Sequence, residues 1–165
     1  NSNRVLFDRI ANSIHVQKHD RIPYFHCHGV IPINGYSARK GHLASDKLVL
    51  TEDNYLELAN NSFSWQATSF IDNCMHRRVV FCGVSLTDAN MRRWLSWIHA
   101  NKMAEFKENG LDGKEATEHF WICKKPNTIQ EKIWLEESGA HLGVRLVWID
   151  EWNQTGKVLK RMLGL

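Results

Sequence analysis

Short apolar runs alternate along this chain with longer segments of helical period, and this alternation limits the folds open to it. The runs VVFCGV (79–84), HFWIC (119–123) and VRLVWID (144–150) are too short for buried helices and are typical of strands buried on both faces. Helical patterns separate them. The sequence therefore predicts an α/β fold with a doubly wound, mostly parallel, Rossmann-like sheet covered by helices on both faces.

The N-terminal part continues the alternation. Residues 4–14 place Leu6, Ile10 and Ile14 on one stripe, which predicts a helix, and residues 22–27 are expected to form a short strand. After this strand, the segment 30–45 lacks a period and is rich in Gly, Pro and Ser, which predicts a long surface loop. A second short strand is predicted at residues 47–50.

Four further helices follow from caps and periodicity. Thr51 is a candidate N-cap for a helix that runs, with a break near residue 60, to about residue 76. The next helix has Arg92 and Arg93 facing outward, opposite an apolar stripe of Met91, Trp94, Leu95 and Ile98. Another helix is expected from about residue 128 until Gly139 stops it, and a last one at about residues 152–163.

Composition excludes several classes of protein. With 165 residues and 43% apolar content, residues 1–165 are expected to form one domain. The net charge of +3 arises from scattered residues, so no basic stripe indicates a nucleic-acid partner. No run is long enough to span a membrane, and no secretory signal is visible, so we expect a soluble, cytoplasmic protein. The four cysteines are widely separated and three lie in or beside apolar runs, so disulfides are not expected. No C-x-x-C pair is present, so a structural zinc site is not expected.

The stretch FCGVSLTDAN (81–90) joins a predicted buried strand to a predicted helix. Gly83 ends the apolar run, Ser85 can offer a hydrogen bond to a ribose or a phosphate, and Thr87 or Asp88 can cap the helix. The alternative is a turn whose polar residues only satisfy backbone groups. Position 87 is not glycine, so the G-x-S-x-G elbow of serine hydrolases is not met and Ser85 is not expected to be a nucleophile.

His28 and Gly29 stand at the end of another predicted strand. A histidine there can act as a general base at the mouth of the sheet, because Gly29 lets the chain turn away from it. A metal site formed by His26, Cys27 and His28 is the competing interpretation. It is disfavoured because alternation along a strand points Cys27 to the opposite face from the two histidines.

In this order, His28-Gly29, LVLTEDNY (48–55) and VVFCGVSLTDANMRRWL (79–95) resemble the C-terminal two thirds of a sirtuin-like domain. The resemblance covers roughly residues 20–150 and is closest to the zinc-less bacterial branch, whose members are NAD-consuming modules of anti-phage defence systems. No G-x-G-x-x-G or Gly-Ala-Gly phosphate loop is present in the printed residues. We therefore expect the first strand and the glycine-rich loop of the fold to lie upstream, in a larger chain.

The resemblance implies an NAD glycohydrolase that splits NAD, its substrate, into nicotinamide and ADP-ribose. It assigns His28 as the catalytic histidine and Asn1 or Asn3 as the catalytic asparagine, although the aspartate of the family's N-x-D motif is missing. NAD binding is assigned to Gly83, Ser85 and Asp88. The family's deacylases carry a four-cysteine zinc ribbon where this chain has a cysteine-free loop, which argues against zinc and against protein deacylation.

Two other functions are compatible with these residues. The first is a catalytically silent sirtuin-like domain that binds nucleotide or a partner protein, and NAD that is bound but never consumed would identify it. The second is nucleic-acid binding through the arginine pairs 77–78 and 92–93 together with the tryptophans. It is disfavoured because Trp94 lies on the apolar face of its helix. A homo-oligomer or a defence-system partner protein also fits the seven tryptophans, since aromatic residues are enriched in interfaces.

Overall fold

A computed structural model of the chain describes residues 6–10, 19–27, 49, 51–61, 63–112 and 119–164. Parallel strands and helices alternate in it, so the predicted α/β class is confirmed. The elements are β1 (Phe7–Ile10), β2 (Ile22–Phe25), α1 (Glu52–Asn60), α2 (Trp65–His76), β3 (Val80–Phe81), α3 (Ala89–Glu108), β4 (His119–Lys124), α4 (Ile129–Ala140), β5 (Val144–Ile149) and α5 (Thr155–Met162). None of these described helices is long and apolar enough to cross a membrane.

The chain divides into two compact units, Asn1–Ser69 and Phe70–Leu165. In the first unit β1 and β2 pair in parallel, with Phe7 opposite Ile22. Helix α1 begins where its cap predicts, because the Thr51 hydroxyl accepts a hydrogen bond of 3.3 Å from the backbone N–H of Asn54. The predicted break near residue 60 is confirmed as the gap between α1 and α2. The prediction of one domain over residues 1–165 stays a prediction.

The helix predicted at residues 4–14 is wrong, because residues 7–10 form strand β1. Asp8 and Ile10 are both 5% exposed, whereas Phe7 is 60% exposed. This alternation is the period of a strand. The spacing of four between Leu6 and Ile10 is close to one helical turn and is also two full strand periods, so the apolar stripe could not distinguish the two structures.

Of the other predictions for the first unit, one is confirmed and the rest fall largely outside the described residues. The strand predicted at 22–27 is confirmed as β2. His28, Gly29 and the loop predicted at 30–45 are not among the described residues, and only residue 49 of the strand predicted at 47–50 is.

The second unit contains a parallel three-stranded sheet in the order β3-β4-β5. The apolar runs predicted as strands form it, and the two longer strands pair from His119 opposite Val144 to Lys124 opposite Ile149. Its core includes Trp121 and Cys123 of β4 and Val144 of β5, which cluster with Leu95 and Ile98 of α3. Ile122, on the opposite face of β4, is also fully buried. Burial on both faces explains why these strands read as continuous apolar runs.

Helix α4 extends past the glycine that was predicted to stop it. Gly139 lies inside α4, and a Cβ at this position would meet Leu146 Cδ1 at 2.5 Å and the carbonyl oxygen of Val144 at 2.9 Å. Gly139 therefore permits close packing of α4 on β5. The chain turns instead at Gly143, whose φ of +70° is in the left-handed region that glycine adopts readily.

Two ion pairs join the carboxyl ends of β4 and β5. Lys124 Nζ lies 2.9 Å from Glu151 Oε1, and Lys125 Nζ lies 2.7 Å from Asp150 Oδ1. The hydrogen bond from Lys125 holds the pKa of Asp150 below its ordinary value.

The last helix was predicted from residue 152, but residues 152–154 form a 3₁₀ turn, and the α-helical part begins at Thr155.

The packing of His99 against the Gly143 turn makes stability depend on pH. His99 Nδ1 is buried and has no hydrogen-bond partner among the described residues. Burial first, and then the charges of His141 and Lys102, hold the pKa of His99 below its ordinary value of 6.5. In the unfolded chain the pKa returns to about 6.5, so the unfolded state binds the proton more readily. This contribution to stability is complete above about pH 6.5 and is lost as the pH falls through the lowered pKa.

We expect the free energy of unfolding to fall less between pH 7.5 and pH 5 in His99→Gln than in the wild type, because glutamine does not titrate. Urea unfolding at several pH values measures this difference. His19→Gln, which changes an exposed histidine, is the control and should reproduce the wild-type slope. Parallel profiles for the wild type and His99→Gln would show that His99 does not contribute.

Candidate functional site

The candidate site is the β3–α3 loop, residues 82–88, which follows the carboxyl end of β3. Ligands of parallel α/β sheets bind outside this end of the strands. Gly83, Val84 and Ser85 are exposed, and Gly83 has a φ of +71°. A Cβ at Gly83 would meet no atom of the described residues within 4 Å, so none of them covers this side of the loop. The structure therefore presents Gly83 and Ser85 at the sheet edge where the sequence predicts a ligand.

The hydroxyl groups in the loop form a pair. Ser85 Oγ and Thr87 Oγ1 lie 2.6 Å apart, and both side chains are exposed. One of the two hydroxyls donates in this hydrogen bond, so the other retains its O–H for an external acceptor. The pair can thus both donate to and accept from a polyhydroxylated ligand such as a ribose.

Asp88 is the N-cap of α3. Its Oδ1 accepts hydrogen bonds of 2.9 Å from the backbone N–H groups of Asn90 and Met91. Of the two predicted caps, Asp88 and not Thr87 makes these bonds. The carboxylate therefore stabilises the helix. This agrees with the alternative that the polar residues of this turn satisfy backbone groups. Its assignment to NAD binding stays a prediction.

Leu86 gives the loop an unusual backbone. Its φ is +51°, which makes it the one residue other than glycine with a positive φ in the described part of the chain. A left-handed conformation costs a residue with a Cβ about 1–2 kcal/mol. The Leu86 side chain is only 2% exposed and belongs to the core cluster, which offsets this cost. Strained conformations of this kind recur at ligand-binding loops.

Two hydrogen bonds that the sequence did not predict anchor the loop. Trp121 Nε1 donates to the carbonyl oxygen of Val84 at 2.9 Å. Arg92 Nη1 donates to the carbonyl oxygen of Leu86 and to Ser138 Oγ, each at 3.3 Å. The prediction that Arg92 faces outward is therefore wrong, and the side chain is half-buried. Arg93 is also half-buried and stacks over Trp97, with its Cζ 5.3 Å from the ring centroid.

One sequence signal could have indicated the role of Arg92. Side chains of a helix tilt toward its N-terminus, so a residue in the first turn covers the segment that precedes the helix. A cation near a helix N-terminus is also unfavourable next to the helix dipole. An arginine four residues after the cap Asp88 therefore indicates a specific acceptor, here the Leu86 carbonyl.

The other predicted site residues are not part of this described loop. Asn1, Asn3 and His28 lie outside the residues that the structure describes, so their roles stay predictions. His26, two residues before His28, contacts Tyr24 edge-on with ring centroids 4.7 Å apart.

Burial keeps two of the described cysteines in the thiol form. All four are free thiols, and burial raises the pKa of Cys74 and of Cys123 to about 12. These two thiols therefore stay protonated at neutral pH, and protonated thiols are poor metal ligands. Burial also raises the pKa of Cys27. Within the described ranges, no group of three or more His, Cys, Asp or Glu side chains could hold a metal ion.

Comparison with known proteins adds one finding. A protein-family model described as "SIR2-like domain" matches residues 4–142, which is most of the chain and includes the β3–α3 loop. No curated protein matches the chain significantly.

Proposed function

Because this chain belongs to the SIR2-like domain family, whose members are NAD-dependent enzymes, we propose that it is an NAD glycohydrolase. It cleaves NAD to nicotinamide and ADP-ribose and belongs to the zinc-less bacterial branch that its motifs resemble. Its biological role is to consume NAD in anti-phage defence. The proposal goes beyond the family match, which supports NAD-related activity in general.

The observation that supports the proposal best is the geometry of the β3–α3 loop. Gly83 leaves the loop open to a ligand, and Ser85 presents a hydroxyl beside it. Both residues follow a parallel strand at its carboxyl end, where nucleotides bind in this fold class. A hydroxyl pair suits the ribose of NAD, because each ribose hydroxyl both donates and accepts hydrogen bonds.

The proposed reaction breaks the bond between the nicotinamide nitrogen and C1′ of its ribose. Nicotinamide leaves with the electron pair of that bond, and a water molecule adds its oxygen to C1′. His28 is the general base that accepts the proton from the water or from a ribose hydroxyl. Asn1 or Asn3 positions the water or the nicotinamide ribose. These assignments follow the motifs that resemble the family.

We expect Ser85→Ala to raise the Kd for NAD about three- to tenfold, because one hydrogen bond to the ligand is lost. The free energy of unfolding should change by less than about 0.5 kcal/mol, since Ser85 is exposed. Isothermal titration calorimetry and urea unfolding measure the two quantities.

Thr87→Val is the matched control for Ser85. It removes the partner hydroxyl but keeps Ser85 in place, so binding should weaken less than in Ser85→Ala. Equal affinities of the wild type and Ser85→Ala for NAD would remove Ser85 from the binding site.

The proposed defence role has a separate test in cells. Bacteria that express the protein should lose NAD after infection by a phage that triggers it, and they should plate fewer phages than bacteria that express His28→Ala. Unchanged NAD levels in infected cells that are nevertheless protected would contradict a role through NAD consumption.

A further inference from the structure

We propose that Arg92 is a positioning residue that holds the β3–α3 loop in the shape that binds ligand. The inference rests on the proposed function and adds a residue that sequence motifs did not assign. Arg92 acts on the ligand through the backbone of the loop, since its observed acceptors are protein oxygens.

Arg92 ties the loop to a second helix. Its Nη1 donates both to the Leu86 carbonyl in the loop and to Ser138 Oγ on α4, 46 residues away in sequence. One guanidinium nitrogen has two hydrogens, so it can make both bonds at once. Because α4 packs closely on β5 at Gly139, the bond to Ser138 ties the loop to the helix that lies on the sheet of the second unit.

A second anchor lies on the other side of Ser85. The Trp121 indole on β4 donates to the Val84 carbonyl, while Arg92 donates to the Leu86 carbonyl. The carbonyl groups of both neighbours of Ser85 are therefore fixed from separate elements, and Ser85 itself stays exposed between them. A loop ordered in this way does not lose that conformational freedom when it binds, and such preorganisation increases affinity.

The anchoring by Arg92 helps to keep Leu86 in its left-handed backbone conformation. A leucine adopts a positive φ only when its surroundings hold it there. The buried Leu86 side chain holds one end of the residue, and Arg92 holds its carbonyl. Without the guanidinium, the peptide that follows Leu86 can rotate toward an ordinary conformation, which would displace Ser85 and Thr87.

The first test is the mobility of the loop, measured by NMR on the full chain without NAD. In Arg92→Ala we expect the ¹⁵N order parameters of residues 84–87 to fall from about 0.85 to below about 0.6, while those of β4 and β5 stay unchanged. Arg78→Ala is the control, because Arg78 is exposed and precedes β3 at the opposite end of the strand. It should leave the loop rigid. Unchanged order parameters in Arg92→Ala would overturn the proposal.

The second test is affinity for NAD. We expect the Kd to rise about tenfold in Arg92→Ala and less in Arg92→Lys, whose flexible amine restores one donor but not the planar guanidinium. Ser138→Ala removes one acceptor and should have a smaller effect, which keeps the test open if Arg92→Ala fails to fold. A mobile loop with an unchanged Kd would overturn the ligand-positioning role. If the wild type does not bind NAD, the proposed function fails, and the order parameters alone decide whether Arg92 anchors the loop.

Discussion

Replacement of His28 by alanine is expected to lower kcat for NAD cleavage by about 10²–10⁴-fold, the usual contribution of a general base. The sequence places His28 three residues after β2, which ends at Phe25, and the His-Gly pair resembles the family's catalytic motif. The expected loss is one of kcat, because a base that accepts a proton in the transition state contributes little to ground-state binding of NAD. Steady-state assays of nicotinamide release measure it, with circular dichroism to establish that the variant folds.

His26→Ala is the matched control, because it removes an imidazole from the same segment two residues earlier. His26 packs edge-on against Tyr24, so its loss should affect packing more than turnover. We expect kcat to stay within a few-fold of the wild type. Full turnover by His28→Ala would defeat the assignment of the base, and equal losses in both variants would point to a structural effect on the strand.

Gly143→Ala is expected to lower the free energy of unfolding by about 2–5 kcal/mol. A left-handed φ costs alanine about 1–2 kcal/mol, and overpacking a crowded site costs about 1–3 kcal/mol more. The φ of Gly143 is +70°, and its added Cβ would lie 2.8 Å from His99 Nδ1. Such a loss is a large part of the 5–15 kcal/mol that stabilises a typical domain. Urea unfolding monitored by tryptophan fluorescence measures it.

Gly110→Ala separates the two causes of this loss. Gly110 has nearly the same φ, +67°, but a Cβ there would meet no atom within 4 Å in the described part of the chain. Gly110→Ala should therefore lower the free energy of unfolding only by the cost of the left-handed backbone conformation. In the His99→Ala background, Gly143→Ala should cost less than in the wild type, because the crowding ring is gone. Strictly additive effects of the two substitutions would contradict the contact between His99 and Gly143.

The order of elements in the second unit could be predicted because its strands are buried on both faces. The runs that form β3, β4 and β5 are apolar without alternation, and the helices between them have a clear apolar stripe. The end of α4 could not be predicted, since a glycine in the last turn can either stop a helix or allow close packing. The contact of Gly139 with Leu146 depends on how α4 lies on β5.

The first strand shows where periodicity fails. Residues 7–10 are too few to distinguish a helical period from a strand period. Asp8 and Ile10 are both buried in the strand, but only Ile10 is apolar. A buried aspartate hides the alternation that would have predicted a strand. The parallel partner that stabilises β1 is β2, and strand pairing is not encoded locally in either segment.

The position of the candidate site was predictable, but its supporting contacts were not. Gly83 and Ser85 stand out because a glycine and a hydroxyl interrupt an apolar run. The roles of Arg92 and Trp121 depend on contacts between distant parts of the chain, with Ser138 and with Val84 respectively. A polar residue on a helix and a tryptophan in a strand are consistent with many environments, so their type alone does not reveal these contacts.

The most direct test of the account is nicotinamide release from NAD by the purified full-length protein, with both products identified by chromatography. We predict nicotinamide and ADP-ribose in equal amounts, and release of both about 10²–10⁴-fold slower from His28→Ala. NAD that is bound but stays intact after prolonged incubation would contradict the proposed activity and would identify a sirtuin-like domain that binds nucleotide without catalysis.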